Sequence, residues 1–450
     1  MKKFVFALIC GLLLFSCNPD HDFVSEEFEE ATLDERLKEL LIQEGGSLEH
    51  FILPKNTDFN AIPQDPKNPI TREKVELGKL LFHETGLAVK SNFEDNMSTY
   101  SCASCHHKDA GFQANVPQGI GDGGMGYGAH GEGRVFNPLC DEEKIDVQPI
   151  RSPSTLNIAY QTNILWNGQF GATHLNEGTE DTWAYDTPLE ANHLGYQGVE
   201  TQAVAGLDVH RFGLSITKEF IESTVYKELF QVAFPNHNEE FIYSIEAAGL
   251  AIAAYERTLL SNESNWQKWL NGNQQAMSFK ELEGAISFFE YGCGSCHTGP
   301  ALSSMEFHAF GMNDLKNSEQ IINVTEDHIA HLGRGGFTNN PEDLYKFKVP
   351  QLYNLKDSKF YGHGSSFQTV REVVEYKNTA ISENSNVSLS QLSSYFKPLN
   401  MSEEDIDNIS HFIENSLYDP NLERYVPEEL PTGQCFPNND ALSRVDLGCF

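Results

Sequence analysis

The pattern Cys-x-x-Cys-His occurs twice in this sequence, at 102–106 and at 293–297. In each copy two thiols lie three residues apart, and a histidine follows the second thiol directly. Such a pattern can bind zinc or serve redox chemistry, but neither copy has the additional cysteine pair that a structural zinc site requires. Two complete copies in one chain favour covalent attachment of haem c, in which each thiol forms a thioether to a vinyl group and the histidine is an axial iron ligand. The attachment residues are Cys102, Cys105, Cys293 and Cys296, and the axial ligands are His106 and His297.

The N-terminus predicts export from the cytoplasm. Lys2 and Lys3 precede an apolar stretch, 4–15, that is too short to span a bilayer as a mature helix. The stretch ends in Ser16-Cys17, which resembles the cleavage site of a bacterial lipoprotein. We therefore expect residues 1–16 to be a lipoprotein signal peptide and the mature chain to be held by lipid at Cys17, in the periplasm or at the cell surface.

Length and charge limit the remaining possibilities. A chain of 450 residues with 40% hydrophobic residues predicts more than one domain. The formal net charge of −34 excludes nucleic acid as a partner, because a phosphate backbone requires a basic surface. An acidic surface either keeps the protein soluble or attracts a basic protein partner, and the sequence does not decide between the two.

Three cysteines lie outside the signal and the two motifs: Cys140, Cys435 and Cys449. An oxidising compartment permits a disulfide between Cys435 and Cys449, which would hold the C-terminal tail in place. Pairing of either residue with Cys140 remains open.

The hydrophobic pattern predicts a mainly α fold with long loops. Apolar residues at three- and four-residue spacing indicate a helix over 245–259, and Ser278, Thr369 and Ser402 each begin a predicted helix with an acidic residue three positions later. A glycine-rich stretch at 119–133 cannot be helical. A weak duplication, with a helix before each motif, predicts two cytochrome-c-like haem domains. The predicted divisions are a tether and linker at 17–70, domains at 71–225 and 226–420, and a tail at 421–450.

Several segments resemble the bacterial di-haem cytochrome c peroxidase family, which includes the di-haem oxidase that matures methylamine dehydrogenase. The matching segments, in order along the chain, are 77–82, the first motif, 152–157, 165–168, 200–203, 251–259, the second motif, 347–354 and 361–365. Each segment is weak alone, but their order and spacing over 77–417 are specific.

The resemblance implies a division of labour between the two haems. The haem at His106 would react with hydrogen peroxide, and the haem at His297 would receive electrons from a small cytochrome c or cupredoxin. Trp166 matches the family tryptophan between the haems; a buried core aromatic is the alternative. His130 matches a histidine that caps the reactive haem at rest and swings away on activation, which a glycine loop permits. A solvated loop histidine is the alternative there.

The sequence departs from the family on the side of the reactive haem that faces peroxide. Gln202 matches the family glutamine, but the glutamate expected about ten positions later is absent. We hypothesise that His210 replaces it as the acid and base and that Arg211 stabilises negative charge developing on oxygen.

Two further departures concern metal ligands. The family's methionine ligand of the electron-entry haem aligns with Lys377, so Tyr376 and Met312 are the candidates for the sixth ligand. The asparagine of the family's calcium site aligns with Arg151, which leaves backbone carbonyls near Ser358 and Phe360 and keeps calcium open.

The leading hypothesis is a lipid-anchored di-haem peroxidase that reduces hydrogen peroxide to water. The alternatives are a di-haem oxidase that acts on another protein and an electron carrier without catalysis. The resemblance also implies a homodimer.

Overall fold

The computed structural model describes residues 21–213 and 225–449, with side chains described from residue 32 onward. The predicted signal peptide at 1–16 and the lipid site at Cys17 lie outside the described residues, as do residues 214–224, just before the expected domain boundary. Within the described ranges, no helix has the length and apolar character needed to cross a membrane.

The fold is mainly α, as predicted, with long loops between the helices. The α-helices of the described part are α1 (His21–Gly45), α2 (Arg72–His83), α3 (Gly198–Val209), α4 (Tyr226–Ala233), α5 (Glu239–Ile242), α6 (Ile245–Glu256), α7 (Asn265–Leu270), α8 (Phe279–Glu290), α9 (Arg334–Thr338), α10 (Val370–Thr379), α11 (Glu403–His411) and α12 (Ala441–Asp446). Two-residue strands form two antiparallel pairs, β1 (Gly124–Met125) with β2 (Val135–Phe136) and β3 (Phe307–His308) with β4 (Phe347–Lys348).

Three helix starts confirm the predicted capping boxes. Ser278, Thr369 and Ser402 are the N-caps of α8, α10 and α11, and each accepts a hydrogen bond from the backbone N–H three residues later. At α8 the side chain of Glu281 accepts in return from the Ser278 backbone N–H at 2.8 Å. These reciprocal bonds satisfy two of the donors that a helix start leaves free, so the caps fix where the helices begin.

The first core surrounds the crossing of α2, α3 and α6. Gly78 of α2 and Gly249 of α6 lie at these crossings, where a β-carbon would overlap with Ala251 or Val204 of the facing helix. The missing side chains let the backbones approach closely. Helices α4 and α6 belong to this core, so residues 226–259 pack with the N-terminal half. From the sequence, these residues are predicted to lie in the second domain, 226–420.

The second core surrounds the packing of α8 against α11 and α1. Leu37, Leu41 and Phe51 are fully buried in it. The prediction of a tether and linker over 17–70 is therefore wrong for its second part: the leucines at 33, 37, 40 and 41 form an apolar face that α1 buries. The acidic composition of the preceding residues concealed this pattern.

The C-terminal tail returns to the first core. Leu422 and Tyr425 are buried there, and the hydroxyl of Tyr255 donates to the Tyr425 carbonyl at 2.9 Å. A disulfide joins Cys435 and Cys449, whereas Cys140 is free. This resolves the pairing that the sequence left open.

Candidate active site

The first motif forms a single 3-10 turn at Cys102–Ser104, a short distance after α2. The backbone N–H of His106 donates to the Cys102 carbonyl at 3.1 Å, which folds the imidazole back over the turn. Cys102 and Cys105 are free thiols, and both line a cavity of about 630 Å³ together with His106. The turn therefore presents two sulfur atoms and one imidazole to the same space.

The second motif repeats this arrangement at the end of α8, with a 3-10 turn at Cys293–Ser295. The backbone N–H of His297 donates to the Cys293 carbonyl at 2.9 Å. Cys293 and Cys296 are free, and they line the same cavity as the first motif. The two motifs thus face one continuous space.

The donor set fits covalently attached haem. The Nδ1 atom of His297 lies 3.0 Å from the Leu302 carbonyl, and that of His106 lies 3.4 Å from the Phe112 carbonyl. This leaves Nε2 of each ring for an iron, in the way that a hydrogen bond on the other nitrogen orients metal-binding histidines. Burial lowers the pKa of both histidines to about 4, so the neutral, ligating form predominates.

One face of α3 and its C-cap lines the cavity near the first motif. Gln202, Gly206 and His210 lie on this face, four residues apart. The Nδ1 atom of His210 lies 2.7 Å from an oxygen of the Asp146 carboxylate, and Tyr100 donates its hydroxyl to the His210 carbonyl at 2.9 Å. Asp146, which is only 5% exposed, therefore holds the imidazole from behind.

The pKa shifts of half-buried His210 and buried Asp146 are those of an ion pair. Burial alone would lower the pKa of His210, but the charge of Asp146 and the hydrogen bond to it outweigh burial, and the net shift is upward. Burial alone would raise the pKa of Asp146, yet His210 and then Arg211 bring it below its ordinary value. The pair therefore favours a protonated imidazole near a buried carboxylate.

Arg211 does not line the cavity. Its guanidinium lies 3.6 Å from the Asp122 carboxylate, and its backbone adopts a left-handed conformation with a φ of 61°. This turn directs the side chain behind His210 and not toward the first motif. In this conformation the guanidinium of Arg211 does not line the cavity, and its charge acts on Asp146, so a direct contact with a reacting oxygen stays a prediction.

Trp166 lies where the two halves of the chain meet. Its indole N–H donates to the Arg151 carbonyl at 2.8 Å, and its ring packs edge-on against His363 at 6.2 Å between centroids. His363 is paired with Asp314 at 3.0 Å, and both rings line the cavity. The tryptophan thus contacts residues of both halves, and its position between two haems stays a prediction.

His130 lies on the protein surface, outside the cavity. Its backbone N–H donates to the Glu132 carboxylate at 2.7 Å. Asp440 and Asp446 of the tail accept hydrogen bonds from backbone N–H groups at 126–128, so the disulfide-closed tail holds this loop. In this conformation His130 does not cap the first site.

The candidates for the sixth ligand near the second motif occupy different places. Tyr376 is buried outside the cavity, with its hydroxyl donating to the Phe310 carbonyl at 2.6 Å. Met312 lines the cavity. Lys377 lines it as well, and burial lowers the pKa of its amine to about 7.

The expected calcium site does not fit a second cation. The buried guanidinium of Arg151 donates to Gln113 Oε1 and Ser358 Oγ, both at 2.8 Å, and to the Ala114 carbonyl at 3.2 Å. The Phe360 carbonyl accepts from Ser358 Oγ at 2.8 Å. An arginine cation already occupies these oxygen acceptors, and a calcium ion beside it would be repelled.

The structure adds residues that the sequence did not single out. Asp146 has no motif around it, and only the fold brings it to His210. Glu256 lines the cavity near Cys102, and burial followed by repulsion from Glu200 raises its pKa to about 8. Glu256 lies in the segment 251–259, which resembles the family, so the sequence could have pointed to this residue. Its protonation state could not be predicted from the sequence.

Comparison with known proteins identifies related sequences. The family model for di-haem cytochrome c peroxidase matches residues 72–275. Cytochrome c551 peroxidase of Nitrosomonas europaea is 27% identical over 316 residues, which cover 70% of this chain and 76% of that protein. Methylamine utilization protein MauG of Methylorubrum extorquens is 24% identical over 369 residues, covering 80% and 82%.

The fold has a counterpart among solved structures. The crystal structure of a MauG-like protein associated with microbial copper homeostasis superposes with a TM-score of 0.56 at 20% identity, covering 82% of this chain and 95% of that one. Two Cys-x-x-Cys-His turns facing one cavity, the family model that matches residues 72–275 and the related sequences agree with one another. This chain is similar to the di-haem cytochrome c peroxidase family.

Proposed function

We propose that this protein is a di-haem peroxidase that reduces hydrogen peroxide to two molecules of water. The reaction takes up two protons, and its two electrons come from a small cytochrome c or cupredoxin. One haem is attached at Cys102 and Cys105, and the other at Cys293 and Cys296. The observation that carries the proposal is the pairing of half-buried His210 with buried Asp146 beside the first motif. An electron carrier would have no use for a paired acid and base at this place.

Cys102, Cys105 and His106 would hold the haem of the first motif, which would supply the iron for reduction of peroxide. His210 accepts the proton that peroxide loses and returns it to the leaving oxygen, which departs as water. Asp146 holds the imidazole in the orientation that this transfer needs and stabilises its protonated form. Gln202, on the same face of α3, has an amide that can hold peroxide by hydrogen bonds but cannot exchange a proton.

Electrons enter at the second motif and cross to the first. Trp166 and His363 form the aromatic contact between the halves, 6.2 Å between ring centroids, and lie along the lining that both motifs share. The net charge of −34 favours a donor with a basic surface and a reaction rate that falls as salt rises. We further propose that lipid at Cys17 anchors the protein at the cell envelope, where such donors and covalent haem attachment occur together.

The test compares His210→Ala with the unaltered protein. The half-reduced protein is mixed with peroxide, and consumption of a reduced small cytochrome is followed together with the absorption spectrum. We expect the unaltered protein to consume two equivalents of donor per peroxide, and His210→Ala to lose about 100-fold or more of this rate.

Other outcomes contradict the proposal. Unchanged turnover in His210→Ala would remove His210 from the chemistry. Persistent low-spin spectra in every redox state, without reaction with peroxide, would identify an electron carrier. Reaction with peroxide without consumption of donor would point to an oxidase that acts on another protein.

A further inference from the structure

Lys377 occupies a place in α10 where the helix pattern calls for an apolar residue. Val370, Val374 and Lys377 lie at positions i, i+4 and i+7, so they share one face of the helix. All three side chains line the cavity at the second motif. The charge of Lys377 acts on Cys293, Cys296 and His297, which places the amine near the atoms that would hold the second haem.

The orientation of α10 is fixed from outside. Its capping box begins the helix at Thr369, and Arg371 on the outer face pairs with Glu403 of α11 at 2.6 Å and also with Asp407. Arg371 and Lys377 are about 120° apart around the helix, so contacts of Arg371 with α11 are compatible with a lysine directed toward the cavity. The position of the amine in the cavity therefore follows from the position of α10, and not only from the conformation of the lysine side chain.

The amine has no conventional partner in the described part of the chain: the structure gives Lys377 no hydrogen bond and no carboxylate. Its Nζ lies 2.7 Å from the centroid of the Phe310 ring, and the Phe396 ring is 6.0 Å away. Aromatic faces attract a cation but do not replace the hydrogen bonds that an enclosed ammonium loses. A neutral amine with its lone pair toward a metal would meet no such cost.

The other two candidates differ in their access to the cavity. The hydroxyl of Tyr376 is committed to the Phe310 carbonyl and lies outside the cavity lining. Met312 lines the cavity from a loop, so its thioether is the competing donor that the test has to distinguish from the amine.

We propose that the amine of Lys377 is the sixth ligand of the iron in the haem held by Cys293, Cys296 and His297. The proposal rests on the haem attachment proposed above. Two nitrogen ligands make this haem low spin and stabilise its ferric state more than a thioether would, so its reduction potential lies below that of a histidine–methionine haem. This protein would then need a more strongly reducing donor than relatives with a thioether ligand.

The test records electron paramagnetic resonance and near-infrared magnetic circular dichroism spectra of the haem-loaded ferric protein, which distinguish amine, thioether and phenolate ligands. We expect an amine signature in the unaltered protein. Lys377→Met should replace it with a thioether signature and a higher reduction potential. Lys377→Arg, which keeps a cation but cannot bind iron, should convert one haem to high spin.

Lys397→Met is the matched control, because Lys397 borders the same cavity but is exposed. Its ferric spectrum should equal that of the unaltered protein, as should the spectra of Tyr376→Phe and Met312→Leu. A thioether or phenolate signature in the unaltered protein, or a signature that Lys377→Met leaves unchanged, would overturn the assignment.

Haem content separates this proposal from the proposed function. A spectroscopic count of two covalent haems, together with the amine signature, sustains the Lys377 assignment even if peroxide turnover is absent. A count of one, with the second motif empty, would overturn both.

Discussion

Asp146→Asn tests the acid–base chemistry at the first motif without changing the shape of the side chain. Asp146 is 5% exposed, and its carboxylate lies 2.7 Å from His210 Nδ1. A hydrogen bond to a charged group contributes about 1.5–3 kcal/mol. At 1.36 kcal/mol per pH unit, losing such a bond displaces the corresponding limb of an activity profile by about one to two pH units.

The sign of the effect follows from the pair. Asp146 raises the pKa of His210, so its removal lowers that pKa. Because His210 must be neutral to accept a proton from peroxide, activity is lost on the acid side as the imidazole becomes protonated. In Asp146→Asn this acid limb should move to lower pH by about one to two units. The plateau should fall about 10- to 100-fold, since the amide neither stabilises the imidazolium nor fixes its orientation.

The assay is kcat/KM for hydrogen peroxide as a function of pH, at constant ionic strength and with saturating donor. Asp208→Asn is the matched control, because Asp208 is exposed on the same helix and pairs with Lys90 at 3.2 Å. Its profile should match that of the unaltered protein. An acid limb that stays in place or moves to higher pH in Asp146→Asn, or an equal shift in the control, would refute the reasoning.

Three further outcomes concern stability. Arg151→Met should lower the free energy of unfolding in urea by about 2–5 kcal/mol, because buried acceptors lose their donor. A calcium chelator should leave the urea unfolding curve of the unaltered protein unchanged. An effect of the chelator would support a calcium site. Reduction of the Cys435–Cys449 disulfide, with a sequence separation of 14, should cost up to about 3 kcal/mol by the same measurement, whereas an unchanged midpoint would show that the tail is held without it. Gly78→Ala should cost about 1–3 kcal/mol in thermal denaturation, since its β-carbon would overlap with the Ala251 carbonyl; full stability would mean that the helices can separate freely.

Local chemistry made the attachment sites and helix starts accessible from the sequence. Each Cys-x-x-Cys-His motif is complete within five residues, and one short turn decides its geometry. The capping boxes at Ser278, Thr369 and Ser402 are equally local, because a side chain and a backbone N–H three positions away satisfy each other wherever the chain lies. The structure confirms all three boxes.

The division of the chain into two hydrophobic cores was harder to predict from the sequence. Helices α4 and α6 follow the expected junction in sequence but pack on α2, and the leucines of α1 bury against α8, far along the chain. Both results depend on which apolar faces meet, and a pattern that identifies an apolar face does not identify its partner.

The groups that face the two motifs were decided by tertiary structure. Residues Gln202 and His210 could be named from their spacing in one helix, but Asp146 reaches His210 only through the loop that follows the glycine-rich segment. The turn of Arg211 away from the cavity and the position of its guanidinium near Asp122 were also not visible in the sequence.

The sequence by itself determined that two Cys-x-x-Cys-His turns exist and which thiols and imidazoles form them. Only the tertiary structure decided which side chains oppose them. Asp146, Arg151 and Lys377 are ordinary charged residues in the sequence, and burial in a shared cavity or against uncharged acceptors gives each of them a specific role. The physical reason is that a charge acquires its chemistry from its surroundings, and those surroundings come from parts of the chain that meet only after folding.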